Sequence, residues 1–208
     1  MGSEHSTTGA VVLMAGYSSR MEGGNKLFMS VGESAQSVAE RTLHSVVNGG
    51  YNPIVVVTGH DAETLRSTLM DFDVQYIHNV RYTDGMGTSI ATAVQHIRDW
   101  DAALIVLGDM PFVATQTFQA LLDKSLENPN QIIAPTFNGR RGQPVIFPAR
   151  FFDELKRCTG DVGGKRVLKA NSDSVILLEV DDEGIHWDVD TMEMLRLYSL
   201  ASQEVTGD

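Results

Sequence analysis

The stretch that decides the fold is Ala10-Val11-Val12-Leu13-Met14-Ala15-Gly16-Tyr17-Ser18-Ser19-Arg20-Met21-Glu22-Gly23-Gly24-Asn25-Lys26. Its first residues are apolar and β-branched, which predicts a buried strand over residues 10–13. A loop of small residues follows at once, carrying two cations, Arg20 and Lys26. Small residues let backbone N–H groups approach an anion closely. Arg adds a planar fork and Lys a point charge. Such a loop reads either as a phosphate cradle or as a solvated turn, and its place directly after a strand favours the cradle.

The same alternation continues along the chain. Strands are expected at 54–58, 74–77, 103–107, 132–134, 145–147 and 175–178. Helices are expected at 34–48, 62–70, 89–100, 115–127, 149–157, 165–170 and 191–198. Gly49-Gly50 is the stop signal of the first of these helices. Short β-branched runs separated by amphipathic ones predict an α/β fold, a mostly parallel sheet with helices on both faces. In such sheets ligands sit outside the C-terminal ends of the strands. The loops after Leu13, Thr58 and Leu107 are then the places for chemistry.

The strand expected at 103–107 ends in Gly108-Asp109-Met110-Pro111. Asp109 reads either as a Mg²⁺ ligand or as the cap of the following turn. Trp187-Asp188-Val189-Asp190-Thr191 would put two carboxylates on one face if extended, while Thr191 could cap the last helix. The acidic stretch 179–183 reads as a solvated turn. Gly160 to Arg166 has a Walker-like look, but its spacing is wrong and Arg166 stands where Ser or Thr is required. His60, His78 and His96 are scattered and read as surface or packing residues. No serine has a neighbouring His–Asp signal.

Composition bounds the rest. The chain has 208 residues, 42% hydrophobic and 21% charged, as expected of one globular domain that buries a core without staples. The single cysteine, Cys158, forms no internal disulfide. A net charge of −11 argues against a nucleic-acid partner. Residues 1–9 have no apolar core of a signal peptide and no run is long enough to span a bilayer, so the location expected is cytoplasmic.

Seven segments, in order, resemble the nucleotidyltransferases related to the molybdenum cofactor enzymes. They are Leu13 to Met21 with Lys26; Thr58-Gly59-His60; Asn79 with Gly85-Met86-Gly87-Thr88-Ser89; Gly108-Asp109-Met110-Pro111; Arg141-Gly142-Gln143-Pro144-Val145; Gly160-Asp161-Val162-Gly163; and Asp188-Val189-Asp190-Thr191. The resemblance covers residues 9–198 and implies one Rossmann-like nucleotidyltransferase domain over residues 9–200, with 1–8 and 201–208 as tails. It implies nucleotide binding by Leu13, Met14, Ala15, Gly16, Ser18, Gly59 and Ser89. Arg20 and Lys26 would hold the triphosphate, Asp109 and Asp190 would bind Mg²⁺, and Arg20, Lys26 and Asp109 would carry catalysis. Arg141, Gly142, Pro144, Gly160 and Asp161 would face the acceptor.

Ala15 before Gly16 is similar to the cytidylyltransferase branch, which transfers CMP from CTP to molybdopterin. The guanylyltransferase branch usually has Gly there. Met14 and Glu22 depart from the family pattern, which has Ala and Gly at those places. The expected partners are therefore an NTP, CTP before the others, a small phosphorylated acceptor, and a molybdoenzyme that receives the product; guanylyl transfer, transfer to a sugar phosphate or other small phosphorylated metabolite, and a non-catalytic nucleotide binder stand as alternatives.

Overall fold

The computed structural model describes residues 6–16, 24–32 and 35–205. Its elements in chain order are β1 (Thr8–Met14), α1 (Val38–Asn48), β2 (Ile54–Thr58), α2 (Ala62–Thr68), β3 (Gln75–His78), α3 (Met86–His96), β4 (Ala102–Leu107), α4 (Thr115–Glu127), β5 (Ile132–Phe137), β6 (Arg140–Arg141), β7 (Val145–Pro148), α5 (Phe152–Leu155), α6 (Lys165–Ala170), β8 (Val175–Glu179) and α7 (Met192–Val205).

β1 is an interior strand and every one of its residues is buried. It pairs in parallel with β2 on one side and β4 on the other. Strand periodicity sends alternate side chains to opposite faces. Ala10, Val12 and Met14 join a core with Val38, Leu43, Leu65, Phe118 and Leu121, from α1, α2 and α4. Val11 and Leu13 join another with Ile90, Val94, Leu155 and Leu168, from α3, α5 and α6. This is the three-layer arrangement that the alternating pattern predicts. The sheet order is β3-β2-β1-β4-β7-β5-β6, and β8 also pairs with β5.

The departures from an all-parallel sheet are β6, antiparallel to β5, and β7, which runs antiparallel to both β4 and β5. A hairpin explains them: β5 turns through Asn138 and Gly139, both at positive φ, into β6. The chain therefore re-enters the sheet without the crossover that a parallel neighbour needs.

Boundaries differ from expectation where caps decide them. α1 starts at Val38 because Ser37 caps it; Ser37 Oγ accepts from Glu40 N–H at 3.2 Å and Glu40 Oε2 accepts from Ser37 N–H at 2.7 Å. α3 starts at Met86, three residues ahead of the expected Ser89. β1 begins at Thr8, and α7 runs to Val205, beyond the expected domain limits.

The acidic stretch 179–183 is not merely solvated. Asp182 Oδ2 accepts from Ala114 N–H at 2.9 Å and Thr117 Oγ1 at 2.6 Å, capping α4 from 68 residues away. Glu179 accepts from Thr136 Oγ1 and Asn138 N–H. Among the described residues no helix is long and apolar enough to cross a membrane.

Candidate active site

In the register of the sheet Leu13 pairs with Leu107 and Met14 with Thr58. The ends of β1, β2 and β4 therefore lie along one edge, where their three loops meet. Gly59 shows how closely: a Cβ there would lie 2.5 Å from Ala15 O and 2.7 Å from Tyr82 Cβ. Only glycine lets the loop after β2 pass at that distance.

Three charged side chains meet at this edge. Lys26 Nζ lies 2.5 Å from Asp109 Oδ2 and 3.0 Å from Asp190 Oδ1. Each arrives on a different support. Lys26 opens a short helical turn whose preceding residue, Asn25, accepts from Leu27 N–H. Asp109 follows β4, and its loop is held from α1: Thr42 Oγ1 donates to Gly108 O at 3.1 Å and Arg41 Nε to Pro111 O at 3.0 Å. Asp190 is brought in because Val189 N–H donates to Asp109 O at 2.9 Å.

Burial raises the Asp109 carboxyl above its ordinary value against the pull of Lys26, and the Asp188 charge adds to the rise. Burial draws the Lys26 ammonium down, but Asp109 and Asp190 outweigh it and its value stands raised.

Asp109 Oδ1 is buried and has no hydrogen-bond partner among the described residues. A buried carboxylate oxygen without a partner is unfavourable on its own. Asp190 reaches the same Lys26 ammonium as Asp109, and hard oxygen donors of this kind could hold a divalent cation such as Mg²⁺, which takes one or two carboxylates and fills its remaining positions with phosphate oxygens and water. Among the described residues no group of three or more His, Cys, Asp and Glu gathers to hold a metal, at this edge or anywhere else, so a metal here would draw on two carboxylates at most.

Beside this cluster lies a cavity of about 300 Å³. Ile90, Ile105, Leu107, Val145, Phe147 and Leu168 give it apolar walls, and Arg141, Asp161, Lys165, His186 and Asp188 supply polar groups. Of the residues expected to face the acceptor, Arg141, Gly142 and Asp161 line the cavity; Pro144 and Gly160 do not. Gly160 sits behind it, where its carbonyl accepts from Gly87 N–H at 2.7 Å. That contact explains the α3 start: a Cβ on Gly85 or Gly87 would run into the 159–160 backbone.

Of the residues expected at the nucleotide, Leu13, Met14, Ala15 and Gly59 are buried at the strand ends and Gly16 is exposed. Ser18 and Arg20 lie outside the described residues. Ser89 is buried, and its Oγ accepts from Asn79 Nδ2 at 3.0 Å; Thr88 Oγ1 accepts from the same amide at 2.9 Å. Sequence reasoning missed Thr42 and Arg41, which hold the Asp109 loop. Nothing local marks them, since their roles come from partners far along the chain.

A model of the MobA-like NTP transferase domain matches residues 10–175, which takes in the whole sheet edge with Lys26 and Asp109. The chain belongs to this family. Among relatives of the MobA-like chain is bifunctional protein GlmU of Staphylococcus haemolyticus. It is 30% identical over 115 residues, 55% of this chain and 25% of that protein. The MobA-like chain spans between 25% and 35% of the length of the GlmU proteins it matches.

Among solved structures, Rv0371c of Mycobacterium tuberculosis superposes with a TM-score of 0.79 at 25% identity, covering 94% of this chain and 98% of that one. The same protein in complex with manganese gives a TM-score of 0.75 at 24% identity over the same shares. A Methanothermobacter nucleotidyl transferase gives a TM-score of 0.81 at 19% identity, covering 96% and 99%. They show the nucleotidyltransferase fold.

Proposed function

We propose that this MobA-like NTP transferase moves CMP from CTP onto the phosphate of a small acceptor, molybdopterin, releasing pyrophosphate. The observation that carries this reading is the meeting of Lys26, Asp109 and Asp190 at the strand edge, beside a cavity large enough for an acceptor.

The obstacle in such a transfer is charge, since an anionic phosphate must attack a polyanion. Catalysis is then mostly positioning and neutralisation. Lys26 and Arg20 would hold the triphosphate, and Leu13, Met14, Ala15, Gly16, Ser18, Gly59 and Ser89 the nucleoside side of the site. Asp109 and Asp190 would hold Mg²⁺. When bound, that ion would neutralise charge on the phosphates. An acceptor phosphate is already ionised at neutral pH, so no side chain need act as a general base. Arg141, Gly142 and Asp161 would line the acceptor's side, with Pro144 and Gly160 shaping the loops behind. Ala15 supports CTP, because its methyl group occupies room that a glycine would leave to guanine.

The test is pyrophosphate release with Mg²⁺, CTP or GTP, and molybdopterin. Release with CTP that requires molybdopterin supports the reading; release with GTP alone moves the chain to guanylyl transfer. Release only with a sugar phosphate replaces the acceptor. In the productive assay Asp109→Ala is expected to lower turnover by at least about 10²-fold. Near-normal turnover in that variant would remove Asp109 from the chemistry.

A further inference from the structure

Asp61 follows β2 and holds a backbone that few side chains adopt, with φ 53° and ψ 31° in the left-handed region. A residue other than glycine stays there only where its surroundings compensate, and such residues gather at working sites. Asp61 also stands at the cap position of α2, where Leu65 N–H donates to its carbonyl at 3.0 Å. Aspartate is among the best capping residues, yet this side chain makes no cap hydrogen bond. The carboxylate forgoes the role that its position offers.

It reaches instead to the turn that carries Lys26. Asn25 Nδ2 donates to Asp61 Oδ2 at 3.3 Å, across 36 residues of chain, and His60 Nε2 lies 3.5 Å from the same oxygen. The other end of the Asn25 amide accepts from Leu27 N–H at 3.1 Å and so starts the turn. Beyond Lys26 the segment is fixed by burial of Leu27 and by Val38 N–H, which donates to Met29 O at 2.8 Å. The Asp61 link fixes the opposite end, beside the ammonium that meets Asp109 and Asp190. On its own side the loop is tied to the end of β1, because His60 N–H donates to Ala15 O at 3.3 Å.

Resting on the transferase reading above, we propose that Asp61 is a positioning residue for Lys26. It joins the loop after β2 to the Lys26 turn, so the ammonium is in place before a triphosphate arrives. The left-handed backbone at residue 61 turns the carboxylate towards Asn25 and away from α2. Placing a cation in advance spares the ordering that binding would otherwise require.

Two variants of the full chain test this. Asp61→Gly takes the same backbone without strain and has no acceptor; Asp61→Asn tolerates that backbone too and keeps an oxygen for Asn25. Hydrogen–deuterium exchange followed by mass spectrometry reads residues 25–29 in the nucleotide-free protein. Exchange there is expected to be about fivefold faster in Asp61→Gly, the usual worth of one hydrogen bond, and at the wild-type rate in Asp61→Asn. In calorimetric titrations with Mg²⁺, CTP is expected to bind about tenfold more weakly to Asp61→Gly and to recover in Asp61→Asn. CMP lacks the phosphates that Lys26 would hold, so its affinity should stay unchanged in both. The Tm of Asp61→Gly is expected to equal or exceed that of the wild type, since the strain is gone.

Unchanged exchange in Asp61→Gly overturns the proposal, and so does exchange as fast in Asp61→Asn as in Asp61→Gly. Equal weakening of CTP and CMP overturns it too, because Asp61 would then act on the nucleoside side. A Tm lower by about 4 °C or more in Asp61→Gly would make the residue merely structural. A wild type that binds neither nucleotide would instead overturn the transferase reading, while the exchange rates alone decide the link between Asp61 and the Lys26 turn.

Discussion

Lys26 is the residue whose surroundings say most. Its ammonium stands between Asp109 and Asp190, the two carboxylates proposed to hold the metal. A cation in that place competes with another cation for the same oxygens. Nucleotide phosphates would draw Lys26 away, so nucleotide and metal are expected to bind cooperatively. Removing Lys26 should open the carboxylates to the ion without nucleotide. In Lys26→Met, Mn²⁺ followed by electron paramagnetic resonance should bind at least about fivefold tighter to the nucleotide-free protein, the lower end of usual coupling between sites. Turnover of the same variant should fall sharply. Unchanged Mn²⁺ affinity would separate Lys26 from the metal site.

At the scale of elements, the site depends on loops held from a distance. The Asp109 loop is tied to α1 through Thr42 and Arg41. α4 lacks a cap of its own, since Ala114 precedes it, and borrows Asp182. Asp182→Ala removes acceptors used by Ala114 N–H, Thr117 Oγ1 and Gly184 N–H. It should lower stability by about 1–3 kcal/mol, measured by urea unfolding. A loss under about 0.5 kcal/mol would mean that water replaces the carboxylate at little cost. In sequence this residue reads as one more acid in a polar turn. Elements with local signatures were legible: the β-branched run of β2 and the helix α4 stand where the pattern puts them. α3 was displaced because its start is set by contact of Gly85 and Gly87 with residues 159–160, which no local signal carries.

At the scale of the whole molecule, helices on both faces share one sheet, so damage to one face should reach the other. Phe118 of α4 is fully buried, contacts the Tyr51 ring edge-on and sits in the core formed with β1 and α1. Phe118→Ala should lower stability by about 3–5 kcal/mol. Unfolding should still be one cooperative transition, seen at the same urea concentration by circular dichroism and tryptophan fluorescence. Two separated transitions would show that the faces unfold independently.

The order of strands and helices, the parallel core of the sheet and the loops that carry Lys26 and Asp109 were determined by the sequence alone. Their signals are local: hydrophobic period, small residues after a strand, an acid at a strand end. Tertiary structure decided the rest. β7 turned antiparallel through a hairpin, Asp182 became a distant cap, and Asp190 came to share Lys26 with Asp109. These depend on which residues far apart in the chain become neighbours. That is settled by burying both faces of the sheet at once, and no stretch of sequence expresses it by itself.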